Sequence, residues 1–240
     1  MRFPDPLVPG VLLRREKRFL AHVRLDDGRE VIAHTNNTGA MRGCSTPGSR
    51  VWLSPAANPK RKLRWTWELI EVADSPASDA PVLAGVNTLI PNRLVREAVE
   101  TDLVPALRGY PSLRTEVRYG AEGSRIDLLL EDDDRRCWVE VKNVTLVHDD
   151  GRGAFPDAVT ARGLKHLREL GGCVESGDRA VLFWTVQRAD IASVEPADAI
   201  DPAYAAELRR VAALGVEVMA WRARVEVTGI ELVEELPVRL

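Results

Sequence analysis

Ser124-Arg125-Ile126-Asp127-Leu128 and Trp138-Val139-Glu140-Val141-Lys142 are the two stretches on which the C-terminal half of this 240-residue chain turns. Residues two apart in a strand share a face. Val139 and Val141 therefore turn to a core while Glu140 and Lys142 turn the other way, and Asp127 projects opposite to Ile126 and Leu128. If the two strands are neighbours, Asp127 and Glu140 meet and offer oxygen ligands to a hard divalent cation, Mg²⁺ or Mn²⁺, with Lys142 beside it. Such a cation polarises a phosphoryl oxygen and acidifies bound water, and an ammonium orients that water, so the expected chemistry is phosphodiester hydrolysis. An E-x-K triplet alone also describes a solvated strand end or a structural ion-pair network, and its surroundings have to separate the two.

Working outward, residues 92–103 read as a helix with Asn92 as N-cap and Leu94, Val95, Ala98 and Val99 on one face. Strands are expected at 113–119, 125–131 and 136–142, with the acidic run 131–134 as a hairpin turn. Asp157 looks like the cap of a helix to about Leu170 with Ala161, Leu164 and Leu167 on its buried side. The apolar run 180–186 fits a strand covered on both faces. Asp201-Pro202 opens another helix that Gly215 can end, and 216–221 is read as the last strand. The order αβββαβαβ is a mixed sheet flanked by helices, and with the Asp and E-x-K segments in place it resembles the core of PD-(D/E)XK nucleases. That resemblance makes Asp127, Glu140 and Lys142 the catalytic candidates. Glu97 on the first helix is a further metal-ligand candidate with Asp127 and Glu140, or else an exposed helix residue. Glu116 is a third carboxylate, read as a surface residue. Arg162, Lys165 and His166 lie off the apolar stripe of their helix and are candidates for phosphate contact, or for a solvated face.

The first 80 or so residues differ in kind. Short apolar runs at 19–25, 30–34, 50–54, 63–72 and 82–87, separated by turn signals such as Asp26-Asp27-Gly28, suggest a small β-barrel, and the OB-fold is the common barrel that handles oligonucleotides. The expected architecture is thus α+β with two domains: an OB-like barrel over 1–84 and a PD-(D/E)XK-like α/β domain with a mixed sheet over 85–240. Arg18 belongs to a basic cluster with Arg14, Arg15 and Lys17, and Lys60-Arg61-Lys62 precedes Trp65 and Trp67. Basic residues with aromatics suit a single-strand groove, whereas the same two indoles also suit a barrel core.

Charge divides along the same line. Residues 1–80 carry 13 Lys/Arg against 9 Asp/Glu (+4) and residues 81–240 carry 20 against 27 (−7), which together give the net −3. A polyanion meets the N-terminal part more readily, and the acidic part needs local basic patches or cations to approach phosphates. Cys44, Cys137 and Cys173 form no zinc or disulfide pattern and are expected as free thiols. No run approaches the roughly 18 apolar residues of a membrane span, and the start lacks a signal-peptide pattern, so a cytoplasmic protein without membrane contact is expected. No helix-turn-helix pattern supports operator reading.

Ordered blocks along nearly the whole chain resemble the sugar fermentation stimulation protein A (SfsA) family. They include Asn37-Thr38-Gly39-Ala40-Met41, Asn58-Pro59-Lys60-Arg61-Lys62-Leu63 and Gly85-Val86-Asn87-Thr88. Others are Ser124-Arg125-Ile126-Asp127, Val139-Glu140-Val141-Lys142-Asn143-Val144-Thr145-Leu146 and Phe155-Pro156-Asp157-Ala158-Val159-Thr160. The resemblance implies an OB-type domain joined to a PD-(D/E)XK-like domain, a DNA binder without sequence specificity and a regulator of sugar (maltose) use. RNA and Mg²⁺- or Mn²⁺-dependent cleavage stay open beside it. Thr35-Asn36 stands where relatives commonly read Cys-Pro, and Leu164 where Gln is common.

Overall fold

Alternation of buried and open positions builds the N-terminal sheet, as in Leu20–Leu25, where Ala21, Val23 and Leu25 point inward and their neighbours outward. The computed structural model describes residues 1–58 and 60–240; Pro59, part of one block quoted above, lies outside the described residues. β1 (Val8–Glu16), β2 (Leu20–Leu25), β3 (Glu30–His34), β4 (Arg50–Pro55) and β5 (Trp65–Val72) pair in the order β3-β2-β1-β4-β5. A short parallel pairing of β3 with β5, Ala33 to Trp65 and His34 to Thr66, closes the barrel. β6 (Val82–Gly85) adds to β5. Leu12, Val23, Leu53, Trp67 and Ile70 fill the interior. β1 is absent from the strand-like runs of the sequence because its register shifts between Leu12 and Arg14, a bulge that breaks the period of two.

The second unit begins with α1 (Ile90–Glu100). It starts two residues before the expected Asn92 cap, with Pro91 in its first turn, and Asn87 Oδ1 accepts from the Leu89 N–H just ahead of it. Asn92 is thereby inside the helix and its amide is free for another task. β7 (Ser112–Tyr119), β8 (Ser124–Glu131) and β9 (Arg136–Val144) follow as an antiparallel meander. β10 (Leu146–Val147) and β11 (Arg152–Phe155) form a small hairpin. Then come α2 (Ala161–Glu175), β12 (Arg179–Val186), β13 (Ser193–Pro196), α3 (Pro202–Leu214), β14 (Glu217–Glu226) and β15 (Gly229–Leu236). The main sheet runs β15-β14-β12-β9-β8-β7, parallel at β9–β12 and β12–β14 and antiparallel elsewhere. β15, not anticipated from the sequence, makes the edge; its run of Glu234 and Glu235 on the open side masks the buried Ile230, Leu232 and Leu236.

The central β12 explains the layering. Val181 and Phe183 enter the core under α1, while Ala180, Leu182, Trp184 and Val186 enter the core under α2 and α3, so an unbroken apolar run serves both faces. Asp201 caps α3 by accepting from Tyr204 N at 3.0 Å, and Gly215 ends it in a left-handed conformation (φ 116) as expected. α2 departs from expectation. Its cap is Thr160, whose Oγ1 accepts from Gly163 N at 2.9 Å, and its buried stripe is Gly163, His166, Leu167 and Leu170, leaving Ala161 exposed and Leu164 half-buried. Asp157 instead reaches across to the barrel, accepting from Met41 N at 2.7 Å.

The barrel and the second unit share packing as well as this contact. Trp52 and Leu69 of the barrel join the core under α1, and Met1, Phe3 and Leu7 pack there too. Arg188, 1% exposed, donates to both oxygens of the equally buried Asp190 (2.7 and 2.6 Å) and to the Thr145 carbonyl (2.8 Å), and Ser75 of the barrel side also donates to Asp190. All three cysteines are free and buried. No helix among the described residues is long and apolar enough to cross a membrane.

Burial works to raise the Asp190 pKa, but the hydrogen bonds from Arg188 and Ser75 and the Arg188 charge outweigh it and hold the carboxyl below its ordinary range. Removing one partner strands a buried charge, so Arg188→Met should cost about 3–5 kcal/mol in urea unfolding at pH 7. A depressed acid stabilises above its unfolded pKa, so the deficit of the variant should shrink as pH falls below about 4 and the wild-type pair protonates.

Candidate active site

Between the barrel and the second unit lies a cleft of about 510 Å³. Its floor is Asp127 from β8 and Glu140 and Lys142 from β9; Asn92 of α1 and Arg162 and His166 of α2 close its sides, and Arg18 and the 36–39 segment of the barrel face them. The floor exists because β8 and β9 part company there. Their ladder stops at Leu128 with Val139, and the next main-chain donor, Val141 N, is taken at 2.7 Å by Asp127 Oδ2 in place of a backbone carbonyl. Asp127 Oδ1 accepts from Asn92 Nδ2 at 2.7 Å, so both carboxylate oxygens are fixed by groups from two different elements.

Glu140 is 2% exposed. Its Oε1 accepts from Lys142 Nζ at 2.5 Å and contacts His166 Nδ1, while Oε2 is buried with no partner among the described groups. Burial works to raise the Glu140 pKa, but the Lys142 charge and the His166 hydrogen bond win and leave it below the ordinary range. Asp127 goes the other way. Burial first, then the Glu140 charge, push it up to about 6 against the pull of Lys142 and its two hydrogen bonds. Two acids thus share one ammonium in a partly dry site, and the second acid carries the deficit of positive charge.

The three residues expected to converge do so. Glu97 does not: five residues beyond Asn92 it lies roughly 140° round the helix, half exposed, with its carboxylate on the Met1 amino group at 2.8 Å. The side chain that α1 supplies to the floor is Asn92. His166 is buried in the cleft wall against Glu140 rather than on an open basic face; positions 163, 166, 167 and 170 form an i, i+3, i+4, i+7 stripe that turns it inward. Arg162 remains at the rim with its Nε 3.4 Å from His166 Nε2. Lys165 Nζ donates at 2.6 Å to the Glu122 carbonyl and does not line the cleft.

Of the barrel candidates only Arg18 lines it, lifted by a hairpin in which Lys17 and Arg18 are both left-handed (φ 50 and 64). Lys60 and Lys62 are exposed elsewhere, Arg61 donates to the Trp65 carbonyl at 3.0 Å, Trp65 packs against the barrel core and Trp67 is inside it. Trp67 is therefore core, and Trp65 is half-buried against it. Glu116 is exposed, as read from the sequence, and also lines the cleft. Thr115 pairs with Leu128 and Val117 with Ile126, so Glu116 stands opposite Asp127, at a left-handed φ of 56 and without an ion pair or hydrogen bond among the described residues. An unpartnered carboxylate in a strained backbone conformation is a feature that packing does not explain.

The sequence matches the family described as "Sugar fermentation stimulation protein RE domain" over residues 89–229 and "SfsA N-terminal OB domain" over 13–78. The chain belongs to the SfsA family. A sugar fermentation stimulation protein homolog of Geobacter metallireducens is 58% identical over the whole of both chains, and one of Thioalkalivibrio sulfidiphilus is 54% identical over 100% of this chain and 98% of its own. The solved structure of Pyrococcus furiosus SfsA in complex with Ca²⁺ is similar with a TM-score of 0.87 at 28% identity, covering 100% of this chain and 98% of that one. The OB-type barrel followed by the mixed-sheet domain is thus a family trait.

Asp127 titrates near 6 in the fold and near 3.9 in an unfolded chain, so the folded form holds the proton more tightly and its ionisation is a penalty that grows as pH rises from about 4 to about 6. Asp127→Asn in EDTA should therefore raise stability at pH 7.5, on the order of 1–3 kcal/mol, with the gain vanishing near pH 4. Chemical denaturation at the two pH values reads it. Glu116→Gly in EDTA should add roughly 0.5–1 kcal/mol by relieving the left-handed Glu.

Proposed function

We propose that the cleft binds the backbone of nucleic acid and hydrolyses a phosphodiester with the help of a divalent cation held by Asp127 and Glu140. The observation that carries this is the unpartnered, buried Glu140 Oε2 beside an Asp127 whose pKa is raised first by burial and then by the Glu140 charge. Both are oxygen donors suited to Mg²⁺ or Mn²⁺, and a relative solved in complex with Ca²⁺ supports the same hard-ion preference. When bound, such an ion supplies Lewis acidity toward a phosphoryl oxygen and a more acidic water. With the β10–β11 hairpin of the small sheet set aside, the αβββαβ order of α1 to β12, with the Asp and E-x-K segments on its second and third strands, supports a PD-(D/E)XK-like assignment for this unit.

The chain's own groups have separable tasks. Asn92 and the Val141 N–H aim Asp127; His166 fixes Glu140 from α2. Lys142 neutralises Glu140 in the resting site, and its ammonium is placed to orient a water against a phosphate. Arg18 and Arg162 at opposite rims take phosphates on either side. Asn36, Asn37 and Thr38 add neutral polar groups to the barrel side of the lining.

Binding without cleavage is the second reading, the form in which a regulator of sugar use would act, and one observation favours it: Glu140 Oε1 is already satisfied by Lys142 and His166 without a cation. Incubation of DNA and RNA with protein in Mg²⁺, Mn²⁺ or EDTA separates the two. Metal-dependent cutting reduced roughly 100-fold or more in both Glu140→Ala and Lys142→Ala is expected; binding that survives with no cutting in any metal would leave the second reading. Arg18→Ala and Arg162→Ala should each lower the salt slope of binding by about one unit.

A further inference from the structure

Taking the proposed nucleic-acid reading of the cleft as its basis, we infer that the segment reaching Asp127, Glu140 and Lys142 is single-stranded, and that a double helix is excluded from the floor. The first ground is that the cleft is bridged. Arg15 donates to the carbonyls of Asn37 (2.9 Å), Gly39 (2.9 Å) and Ala40 (3.3 Å), which stiffens the barrel lip. Asp157 of the opposite wall accepts from Met41 N in that lip, and Gly39 fits so closely that an added Cβ would lie 2.6 Å from Asp157 Oδ1. A second tie joins Asn36 Nδ2 to Asn87 Oδ1 at 2.9 Å, and the buried Arg188–Asp190 pair with Ser75 holds the two units together behind. Walls tied to one another on the cleft's own lining do not part to let a duplex straddle them.

Capacity and chemistry agree. A volume of about 510 Å³ is that of a small-molecule pocket, enough for an isolated nucleotide or two and not for a paired helix. The lining brings Arg18, Lys142 and Arg162 against Glu116, Asp127, Glu140 and Asp157, so charge alone does not hold a nucleic acid there. What it offers instead at the mouth is apolar surface: Leu89 is 60% and Val159 77% exposed. Unstacked bases have apolar faces to lay on such side chains, whereas a paired helix hides them.

The test is fluorescence anisotropy in Ca²⁺ with a labelled single-stranded 20-mer deoxyoligonucleotide, the blunt duplex of the same sequence, and that duplex with a single-stranded tail, as order-of-magnitude probe lengths. The single strand and the tailed duplex should bind at least about tenfold tighter than the blunt duplex. Leu89→Ser/Val159→Ser, two exposed changes, should weaken single-strand binding several-fold with the melting temperature unchanged. Asp157→Ala, which unties the lip, should narrow the gap between single strand and duplex. Blunt duplex bound as tightly as single strand by the unaltered protein would overturn the inference while leaving the nucleic-acid reading standing. No binding of any of the three would overturn both.

Discussion

Asp127 and Glu140 line one floor where β8 and β9 separate, with the Lys142 ammonium bonded to Glu140 as their nearby cation, and the surplus negative charge in that half-dry floor is the constraint that the neighbouring elements answer. Each acid is restrained by a different neighbour. α1 and the open end of the β8–β9 ladder hold Asp127, and α2 holds Glu140 through His166. A fold that wanted only stability would do better with apolar residues at these positions, since a buried charge with incomplete compensation costs more than a packed methyl group. Glu140 Oε2 is left buried without a hydrogen-bond partner among the described residues, and Glu116, opposite Asp127, holds a backbone conformation that only glycine adopts freely.

The barrel completes the site rather than merely accompanying it. Its lip reaches over the floor and is fastened to the far wall through Asp157, and its hairpin raises Arg18 at the mouth. The fastening is buried and polar: Arg188, Asp190, Ser75 and the Thr145 carbonyl form one network across the junction, and Trp52 and Leu69 carry the apolar packing from barrel to sheet. Such a junction gives a cleft of fixed width, which suits a site whose chemistry depends on where a phosphate stops.

Much of this was legible in the residues alone. The period of two in β9 put Glu140 and Lys142 on one face and that in β8 turned Asp127 away from its apolar neighbours, leaving only the adjacency of the two strands to be supplied, and the unbroken run of β12 announced a central strand covered twice. What escaped did so for physical reasons. Asp157 has the composition of a cap, yet its carboxylate is committed to a backbone N–H 116 residues away, a long-range contact that no local pattern encodes. Glu97 and Asn92 are a fixed rotation of roughly 140° apart on a helix, and reading Asn92 as a cap took it out of the comparison, whereas a start two residues earlier makes it the helical side chain that meets Asp127. β1 and β15 were hidden by a bulge and by consecutive glutamates. Trp67, read beside the basic cluster at 60–62 as either groove or core, belongs to the barrel interior, with Trp65 half-buried against it.

A crystal grown or soaked with Mn²⁺, with the anomalous signal used to place the ion, tests the central claim most directly. The account predicts one dominant ion coordinated by an Asp127 oxygen and Glu140 Oε2, with Lys142 Nζ drawn away from Glu140 toward solvent. An ion bound elsewhere, or no ion at a concentration that saturates cutting, with Glu140 still tied to Lys142 and His166, would contradict it.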